Sequence, residues 1–306
     1  MGYLMTLEQL RIFVAVAERQ HMTAAARALN ITQSAASAAI AALEARHDIR
    51  LFHRVGRGIS LTEAGVLFLE EARGVLARAS AAERMLDELG ELKRGRLRLV
   101  ASQTIAAYWL PPFLAEFRGR WPLVEVELMI GNSAQAAAKV HDGTADLGIV
   151  EGEIDDPVLA HWPIGEDRLV LVQATGAERG RAVDTAWLRG ARWVMREKGS
   201  GTRSTFDGVM RRSGIDPEEL DVALVLPSNE SVRTAVEAGA GVAALSALVV
   251  APSVAAGTLH VLPFDSGRRA FYGLRHKERY RGKAADALLS LIEEQRKPAP
   301  DPARNG

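Results

Sequence analysis

The sequence predicts an α/β protein built from a small helical module at the N-terminus, one long helix, and a larger part in which strands and helices alternate. Three observations predict this organisation. Apolar residues recur at helical spacing over residues 7–43, an uninterrupted helical pattern runs from Thr62 to about Leu92, and apolar strands separated by helices follow from Leu97 onward. A chain of 306 residues also has room for two or three domains.

Composition narrows the functional classes. Hydrophobic residues make up 48% of the chain and charged residues 25%, which excludes a fibrous or wholly disordered protein. The chain has no cysteine, so disulfides, thiolate metal sites and cysteine nucleophiles are excluded, and a reducing compartment fits. No apolar stretch reaches the length of a membrane span, and Glu8 and Arg11 interrupt any signal-peptide core. We therefore expect a cytoplasmic protein that does not contact a membrane.

The sequence carries no recognisable catalytic or metal-binding pattern. Its seven histidines are scattered without metal-ligand spacing, and no Ser/His/Asp order stands out. The acidic run Glu151, Glu153, Asp155 and Asp156 ends at Pro157 and is better explained as a solvated turn than as a catalytic pair. We expect neither an enzyme nor a bound metal or cofactor.

Charge is distributed unevenly along the chain. The 38 basic and 38 acidic residues cancel over the whole length. Residues 1–62, however, contain seven arginines against Glu8, Glu18, Glu44 and Asp48, so this segment carries a formal charge of +3 and the remainder −3. A basic excess confined to one small segment indicates a module that binds a polyanion.

The basic segment has the pattern of a winged helix-turn-helix. Thr6 can cap a first helix, Thr23 a second, and Thr32 or Gln33 a third, with a tight turn between the last two. Residues 51–61 then place apolar residues on both sides of an Arg/Gly tip, which predicts a two-stranded wing. We place the DNA-binding domain at residues 1–62.

Residues 63–92 are predicted to form a linker helix that pairs two chains. Thr62 caps it, and eight consecutive a/d positions carry no charge, as expected for a coiled coil. These positions are Gly65, Phe68, Ala72, Val75, Ala79, Ala82, Leu86 and Leu89. A helix that packs on its own domain remains the alternative.

After Lys93-Arg94-Gly95, strands alternate with helical patterns, which predicts parallel sheets covered by helices on both faces. The predicted strands are 97–101, 126–130, 146–150, 169–172, 193–195, 222–225, 242–245 and 271–274. The part of the chain that follows residue 95 is long enough to form two lobes. Residues 298–306 are rich in proline and polar residues, so they are a disordered tail by composition.

The N-terminal residues carry a family resemblance. The segments Thr23-Ala24-Ala25-Ala26, Gln33-Ser34-Ala35-Ala36-Ser37, Leu51-Phe52-His53-Arg54 and Leu61-Thr62-Glu63-Ala64-Gly65 resemble, at their spacing, the LysR-type transcriptional regulators. The resemblance is dense over the first 65 residues and covers the rest in length and layout. One departure is Asp48, which stands where the family usually has a glycine in a left-handed conformation; aspartate tolerates that conformation better than most residues.

The resemblance implies both architecture and partners. It implies an effector domain of the periplasmic-binding-protein kind with two Rossmann-like lobes, between which the chain crosses near Glu166 and Asp265. The first lobe would then comprise residues 93–166 with 266–297 returning to it, and the second residues 167–265. The implied partners are double-stranded operator DNA, a small-molecule effector, further copies of the chain in a homodimer or homotetramer, and RNA polymerase.

Candidate DNA contacts lie on the third helix and the wing. The third helix is rich in alanine, which leaves Gln33, Ser34 and Ser37 as readers of base edges. Arg54 and Arg57 would meet phosphates or a minor groove. The full set that we expect to contact DNA is Thr23, Thr32, Gln33, Ser34, Ser37, Arg54 and Arg57. Helix capping by the polar residues and a solvated hairpin tip are the alternatives.

Candidate effector contacts follow the strand ends. Parallel sheets bind ligands at the carboxyl ends of their strands, where helix N-termini offer N–H groups to anions. The residues at these ends are Ser102, Gln103, Thr104, Asn132, Ser133, Gly199, Ser200, Gly201, Thr202, Arg203 and Asn229. Arg203 is expected to supply the only fixed charge and to bind an oxyanion bidentately. Each polar residue could instead simply cap a helix.

Two short segments suggest a subfamily. Ser102-Gln103-Thr104-Ile105 with Leu110-Pro111, together with residues 196–203, is similar to the branch of the family that governs sulfur and cysteine metabolism. This similarity would make sulfite or another compact oxyanion the effector. The competing function is a two-lobed small-molecule-binding protein or enzyme that shares the architecture and has no regulatory role.

Overall fold

The computed structural model describes residues 5–55, 58–87, 95–152, 154–176 and 182–296. The chain divides into two compact units, Met1–Leu86 and Asp87–Gly306. Among the described residues, no helix combines the length and the apolar character that crossing a membrane requires.

The first unit consists of four helices and one hairpin. Its elements are α1 (Leu7–Arg19), α2 (Met22–Ala28), α3 (Gln33–His47), β1 (Phe52–Val55), β2 (Gly58–Leu61) and α4 (Glu63–Asp87). Thr6 caps α1 and Thr32 caps α3, each by accepting a hydrogen bond from a backbone N–H of the first turn. Asp48 ends α3 in the left-handed conformation, with φ of 52°. These three local predictions are confirmed.

The predicted cap of the second helix is wrong. Helix α2 begins at Met22, and Nδ1 of His21 accepts the hydrogen bond from the backbone N–H of Ala24. Thr23 therefore lies inside the first turn, with its side chain exposed. A histidine ring nitrogen replaces the hydroxyl oxygen that usually serves at this position.

The core of the first unit includes the start of α4. Phe13 is fully buried, and its ring lies 5.5 Å from that of Phe52 and 4.8 Å from that of Phe68. Gly65 and Ala72 are also buried against this core. The coiled-coil interpretation is consequently wrong for Gly65, Phe68 and Ala72, since they face their own domain. Later seam residues differ: Val75 is 45% exposed and Leu86 66%. Leu89 lies outside the described residues.

The second unit contains nine strands and seven helices within the described residues. In chain order they are β3 (Gly95–Ser102), α5 (Pro111–Arg120), β4 (Val124–Gly131), α6 (Ser133–His141), β5 (Leu147–Glu151), β6 (Leu159–Ala174), α7 (Thr185–Gly190), β7 (Arg192–Arg196), α8 (Gly201–Arg212), β8 (Asp221–Leu226), α9 (Asn229–Glu237), β9 (Ala243–Ser246), α10 (Ala247–Ala255), β10 (Leu259–Val261), β11 (Arg268–His276) and α11 (Lys283–Arg296). A π-helical turn, Ile105–Trp109, precedes α5.

The alternating pattern had predicted wholly parallel sheets. The observed sheets are instead mixed. Strand β3 pairs in parallel with β4 and β5, and β7 pairs in parallel with β8. Strand β11 is antiparallel to both β5 and β6, and β9 and β10 are antiparallel to β6. The antiparallel pairs arise because β6 and β11 run in opposite directions between the two halves of the unit.

Strand β6 changes partner along its length. It pairs with β11 as far as Arg168, opposite Arg268, and with β9 from Leu169, opposite Ser246. We use lobe I for residues 95–166 and 266–296, and lobe II for residues 167–265. Separate clusters of buried apolar residues cover the two faces of the sheet in each lobe. Hydrogen bonds between the lobes, from Asn132 to Glu197 and from Asn229 to Thr104, show that the carboxyl ends of β3, β4, β7 and β8 lie where the lobes meet.

Candidate functional site

Helix α3 presents a polar stripe to solvent. Ala36, Ile40 and Leu43 are buried, whereas Gln33, Ser34 and Ser37 are exposed on the opposite side. Gln33 and Ser37 make no hydrogen bond within the described residues, which leaves both side chains available to base edges. The alternative of simple capping holds for Thr32, whose Oγ1 accepts from the N–H of Ala35 at 3.1 Å and lies 3.0 Å from Oγ of Ser34.

The wing offers one described cation. Arg54 is exposed on β1 and has no carboxylate partner within the described residues, so its guanidinium is available to a phosphate. Arg57, the second predicted wing contact, lies outside the described residues. Thr23 is exposed on α2 and its hydroxyl has no hydrogen-bond partner in the part of the chain that the structure describes.

Glu44 is a structural residue of the DNA-binding domain for which the sequence analysis gave no role. Its Oε1 accepts hydrogen bonds from the backbone N–H groups of Leu51 at 2.8 Å and Phe52 at 3.2 Å, and its Oε2 accepts from Arg50 at 3.1 Å. The carboxylate thereby holds the entry of the wing against the end of α3. Glu44 lies seven residues before Leu51, whose backbone N–H has no strand partner. No local sequence pattern indicates a contact at this spacing.

In the second unit, a chain of hydrogen bonds links the lobes. Nδ2 of Asn229 donates to Oγ1 of Thr104 at 3.0 Å, and Oδ1 of Asn229 accepts a short bond from Arg196. Nε and Nη2 of Arg196 donate to the two carboxylate oxygens of Glu197 at 2.8 and 2.9 Å. Oε1 of Glu197 accepts from Nδ2 of Asn132 at 3.2 Å. We call the region along this chain, between lobes I and II, the cleft.

Backbone contacts bring the two sides of the cleft close together. Gln103 donates from Nε2 to the carbonyl of Pro227 at 2.8 Å, and its Oε1 accepts from the N–H of Asn229 at 3.1 Å. The N–H of Ala134 donates to the carbonyl of Gly199 at 3.1 Å. Gly199 has a positive φ of 89°, a conformation that favours glycine.

Gly201 allows a close approach between the lobes. A Cβ atom at Gly201 would lie 2.3 Å from the carbonyl oxygen of Glu151 and 2.6 Å from Oγ of Ser133. No larger residue fits without a backbone shift. Ser133 donates to the same carbonyl at 2.9 Å, and Ser200 caps α8. For Ser200 the alternative of helix capping therefore describes its observed contact.

Ser102 is the unsatisfied member of the cleft. It lies at the carboxyl end of β3 and is 2% exposed, and its hydroxyl has no hydrogen-bond partner among the described residues. Most buried hydroxyl groups do find a partner, because an unpaired one costs roughly 1–3 kcal/mol. The neighbouring hydroxyl of Thr104 is already an acceptor for Asn229.

The expectation that Arg203 supplies the only fixed charge is wrong. Arg203 is buried and donates from Nε to Oδ1 of Asp207 at 2.8 Å and from Nη1 to the carbonyl of Arg196 at 3.4 Å. Two further buried arginines belong to the same region, Arg196 and Arg269. The Asp207 carboxylate lies one helical turn beyond Arg203 and neutralises it within its own helix.

A buried ion pair joins the strands that connect the lobes. Arg269 donates from Nε and Nη2 to Oδ2 of Asp167 at 3.0 and 2.7 Å, and from Nη1 to Oγ1 of Thr202 at 3.1 Å. Oε1 of Glu151 lies 3.7 Å from Nη2 of Arg269, and Glu151 is 2% exposed. The interpretation of Glu151 as part of a solvated turn is therefore wrong, while Glu153 lies outside the described residues.

The electrostatics at Glu197 follow from its partners. Burial alone would raise the pKa of this carboxyl group, but the hydrogen bonds and the charge of Arg196 outweigh that effect, and the pKa lies below its ordinary value. Glu197 is consequently an anion at neutral pH. Among the described residues, no group of histidine and carboxylate side chains is arranged to hold a metal ion.

Sequence reasoning thus found the polar strand ends but missed the ions of the cleft. Arg196 and Glu197 entered the sequence analysis only as the first residues of a family motif. Asp167 and Arg269 were not identified at all. Two of these charged residues could have been recognised from the sequence, because Arg196 ends a buried strand and Asp167 interrupts another. A charged residue within an apolar strand is usually paired.

Two family models match this chain. "Bacterial regulatory helix-turn-helix protein, lysR family" matches residues 7–66, and "LysR substrate binding domain" matches residues 90–297. The first match coincides with α1, α2, α3 and the wing. The second covers both lobes and the cleft.

Individual proteins are similar to the chain as well. A probable RuBisCO transcriptional regulator from Trichormus variabilis is 33% identical over 294 residues, which cover 94% of this chain and 87% of that protein. Full-length CbnR, solved in complex with its target DNA, has a TM-score of 0.65 at 24% identity over 95% of this chain and 99% of that one, a likeness of fold. The regulatory domain of CcmR from Synechocystis, solved in complex with 2-PG, has a TM-score of 0.60 at 27% identity over 67% of this chain and 99% of that one.

The matches agree with the architecture of both units. The helix-turn-helix of the first unit and the two lobes of the second each match a family model, and a regulator with more than 30% identity matches nearly the whole chain. These relatives are transcriptional regulators, not enzymes. The chain therefore belongs to the LysR family of transcriptional regulators.

Proposed function

We propose that this regulator responds to a small anion bound in the cleft, and that the bound anion alters how its helix-turn-helix engages operator DNA. The Ser102 hydroxyl is the observation that carries the proposal. A ligand oxygen beside Ser102 would satisfy a buried group that the protein leaves unpaired, which favours the bound state. Arg196 adds a buried guanidinium whose Nε and Nη2, which donate to Glu197 in this structure, have the parallel geometry that binds an oxyanion.

The relatives support the choice of ligand class. The CcmR regulatory domain was solved with 2-PG, and its likeness covers 67% of this chain. The choice of sulfite as the effector is supported only by the short motif that includes Ser102 and Arg203. Sulfite is therefore one candidate among several compact oxyanions. An effector can shift the lobes only by its differential affinity for the two arrangements, typically about 1–3 kcal/mol.

We further propose that the exposed face of α3 reads base edges and that Arg54 contacts phosphate. Gln33 and Ser37 supply the free polar groups, and the excess charge of residues 1–62 favours association with DNA. A homodimer through the exposed part of α4, a tetramer through the lobes, and contact with RNA polymerase complete the proposal. The cytoplasmic location follows from this role and is likewise a prediction.

Substitution Ser102→Ala tests the effector proposal. Calorimetry would measure binding of sulfite, sulfate, inorganic phosphate and 2-PG to the wild-type protein and to the variant. We expect one of these anions to bind the wild type, and Ser102→Ala to bind it more weakly while its melting temperature stays the same or rises, since the variant removes an unpaired hydroxyl. A lack of binding by all four probes would contradict the proposal.

The competing function lacks support. A two-lobed binding protein or enzyme without a regulatory role would not need a DNA-binding module, whereas residues 7–66 match one. If the wild-type protein bound no specific site in genomic DNA, with or without the four anions, that result would favour the competing function.

A further inference from the structure

Each buried arginine near the cleft already has a carboxylate partner. Nitrogen and oxygen atoms lie within 2.8 Å in each pair, and the side chains of the three arginines are all at most 8% exposed. The pairs are Arg196 with Glu197, Arg203 with Asp207, and Arg269 with Asp167. An anion that enters the cleft therefore meets no free buried arginine among these three. It must take the place of one of these carboxylates.

The three carboxylates differ in how easily they could leave. The side chain of Asp167 is 2% exposed and that of Asp207 18%, whereas that of Glu197 is 25% exposed. Asp167 is held between β6 and β11, and Asp207 is held on α8. Glu197 instead follows the last residue of β7 and precedes the exposed residue Lys198. Its side chain can turn toward water at a lower cost than the other two, because it is already partly hydrated.

Glu197 also has the contacts of a ligand. Its carboxylate accepts two parallel hydrogen bonds from Arg196 in lobe II and a third from Asn132 in lobe I. A free oxyanion bound by a guanidinium takes the same bidentate geometry. Among the described carboxylates paired with these three arginines, the Glu197 group alone accepts a hydrogen bond from a predicted effector residue of lobe I, Asn132.

We propose that the Glu197 carboxylate is a built-in competitor of the effector, holding the anion position between Arg196 and Asn132 until an anionic effector replaces it. This inference rests on the proposed function, since it concerns the same cleft. The exchange keeps a counter-ion beside the buried Arg196 throughout, which avoids the large penalty of an unpaired buried charge. It also transfers the contact with Asn132 from a protein group to the ligand.

The competition has a consequence for affinity and for signalling. The apparent affinity for the effector equals the intrinsic affinity multiplied by the fraction of molecules in which Glu197 has left the position. The site therefore responds only when the effector is abundant. Both arrangements would bridge the lobes through Asn132. The effector can then change the lobe orientation only through contacts that Glu197 does not make, such as one with Ser102.

Substitution Glu197→Gln tests the competitor. Glutamine keeps the size of glutamate and can still accept one hydrogen bond from Arg196, but it lacks the charge. If Glu197 holds the position about nine-tenths of the time, the variant should bind anions about tenfold more tightly than the wild type. Calorimetry with sulfate, inorganic phosphate and 2-PG would measure the change. Glu197→Ala should change affinity in the same direction and guards against a misfolded first variant.

A matched control removes charge without touching the position. Glu218 is exposed and pairs with Lys198, the residue next to Glu197, at 3.3 Å. Glu218→Gln changes the net charge by the same amount and should bind each anion within about twofold of the wild type, as expected for an exposed, screened charge. Melting temperatures of all variants would show that each is folded.

The outcomes separate the two proposals. Tighter binding by both Glu197 variants, with no such change in Glu218→Gln, supports the competitor. Binding by the wild type that is equal or stronger than binding by the Glu197 variants overturns the competitor and leaves the anion-binding cleft standing. Equal strengthening in Glu218→Gln also overturns it, because the effect would then be general electrostatics. Absence of binding in every protein overturns both.

Discussion

The side-chain amide of Asn229 lies between two partners in different lobes, donating to Oγ1 of Thr104 at 3.0 Å and accepting from the guanidinium of Arg196. Asn229 is fully buried and begins helix α9. One amide thus satisfies a hydroxyl of lobe I and part of a buried charge of lobe II. Neither bond has a substitute among the described residues.

Asn229→Ala should therefore destabilise the second unit. The variant leaves part of a buried guanidinium unpaired, and we expect it to lower the free energy of unfolding by roughly 1–3 kcal/mol. All five tryptophans lie in residues 109–193, so the tryptophan fluorescence during urea unfolding reports on this unit. Thr234→Ala, which removes an exposed bond from Oγ1 to the carbonyl of Glu230 in the same helix, is the control. Equal stability of both variants would contradict the assigned role of Asn229.

Substitutions on α3 and the wing should affect DNA binding in different ways. Gln33→Ala should weaken binding to the specific operator by about 1–3 kcal/mol and relax sequence preference, with an unchanged salt dependence. Arg54→Ala should weaken binding to all duplexes and reduce the slope of log affinity against log salt by about one. Fluorescence anisotropy on specific and scrambled duplexes would measure both. The same salt slope for Arg54→Ala and the wild type would remove Arg54 from the interface.

The exposed part of α4 should hold two chains together. Replacing both Val75 and Leu86 with lysine places charges on side chains that are 45% and 66% exposed, and an apolar dimer seam does not tolerate them. We expect a sedimentation experiment to show monomers if the wild type is a dimer, and dimers paired through the lobes if it is a tetramer. Glu83→Lys adds the same two units of charge to the same helix at another exposed position and should leave the oligomer intact. An unaltered oligomer in the double variant would refute pairing through this seam.

Two glycines of α4 should respond in opposite directions to alanine. A Cβ atom at Gly65 would lie 2.2 Å from the carbonyl oxygen of Leu51 and 2.9 Å from Cδ2 of Leu61, so Gly65→Ala should cost about 1–3 kcal/mol through overpacking. A Cβ atom at Gly74 meets nothing within 4 Å, so Gly74→Ala should stabilise the helix by about 0.5–1 kcal/mol. Thermal unfolding followed by circular dichroism would compare them. A harmless Gly65→Ala would show that the wing entry can move away from α4.

Local chemistry in the sequence was enough to predict the helices and the hairpin of the first unit. The hydroxyls of Thr6 and Thr32 cap helices because each precedes a helical pattern and reaches an N–H only a few residues away. Asp48 adopts the left-handed conformation for an equally local reason. The cap at His21 was missed because imidazole seldom serves there, and the buried half of α4 was missed because a/d spacing is the same for a seam within a chain and one between chains.

The sequence by itself also determined which segments become strands and that polar residues follow them, since both are properties of short windows. Only the tertiary structure decided how the ions of the cleft pair. Arg269 and Asp167 are 102 residues apart, and Asn132 and Glu197 are 65 apart. Such pairs depend on strand register and on the antiparallel return of β11 beside β6, and a shift of one residue would turn each side chain to the opposite face of the sheet. Arg203 differs from these pairs, because its partner Asp207 lies only four residues further along the same helix, so the sequence itself could have indicated this neutralisation.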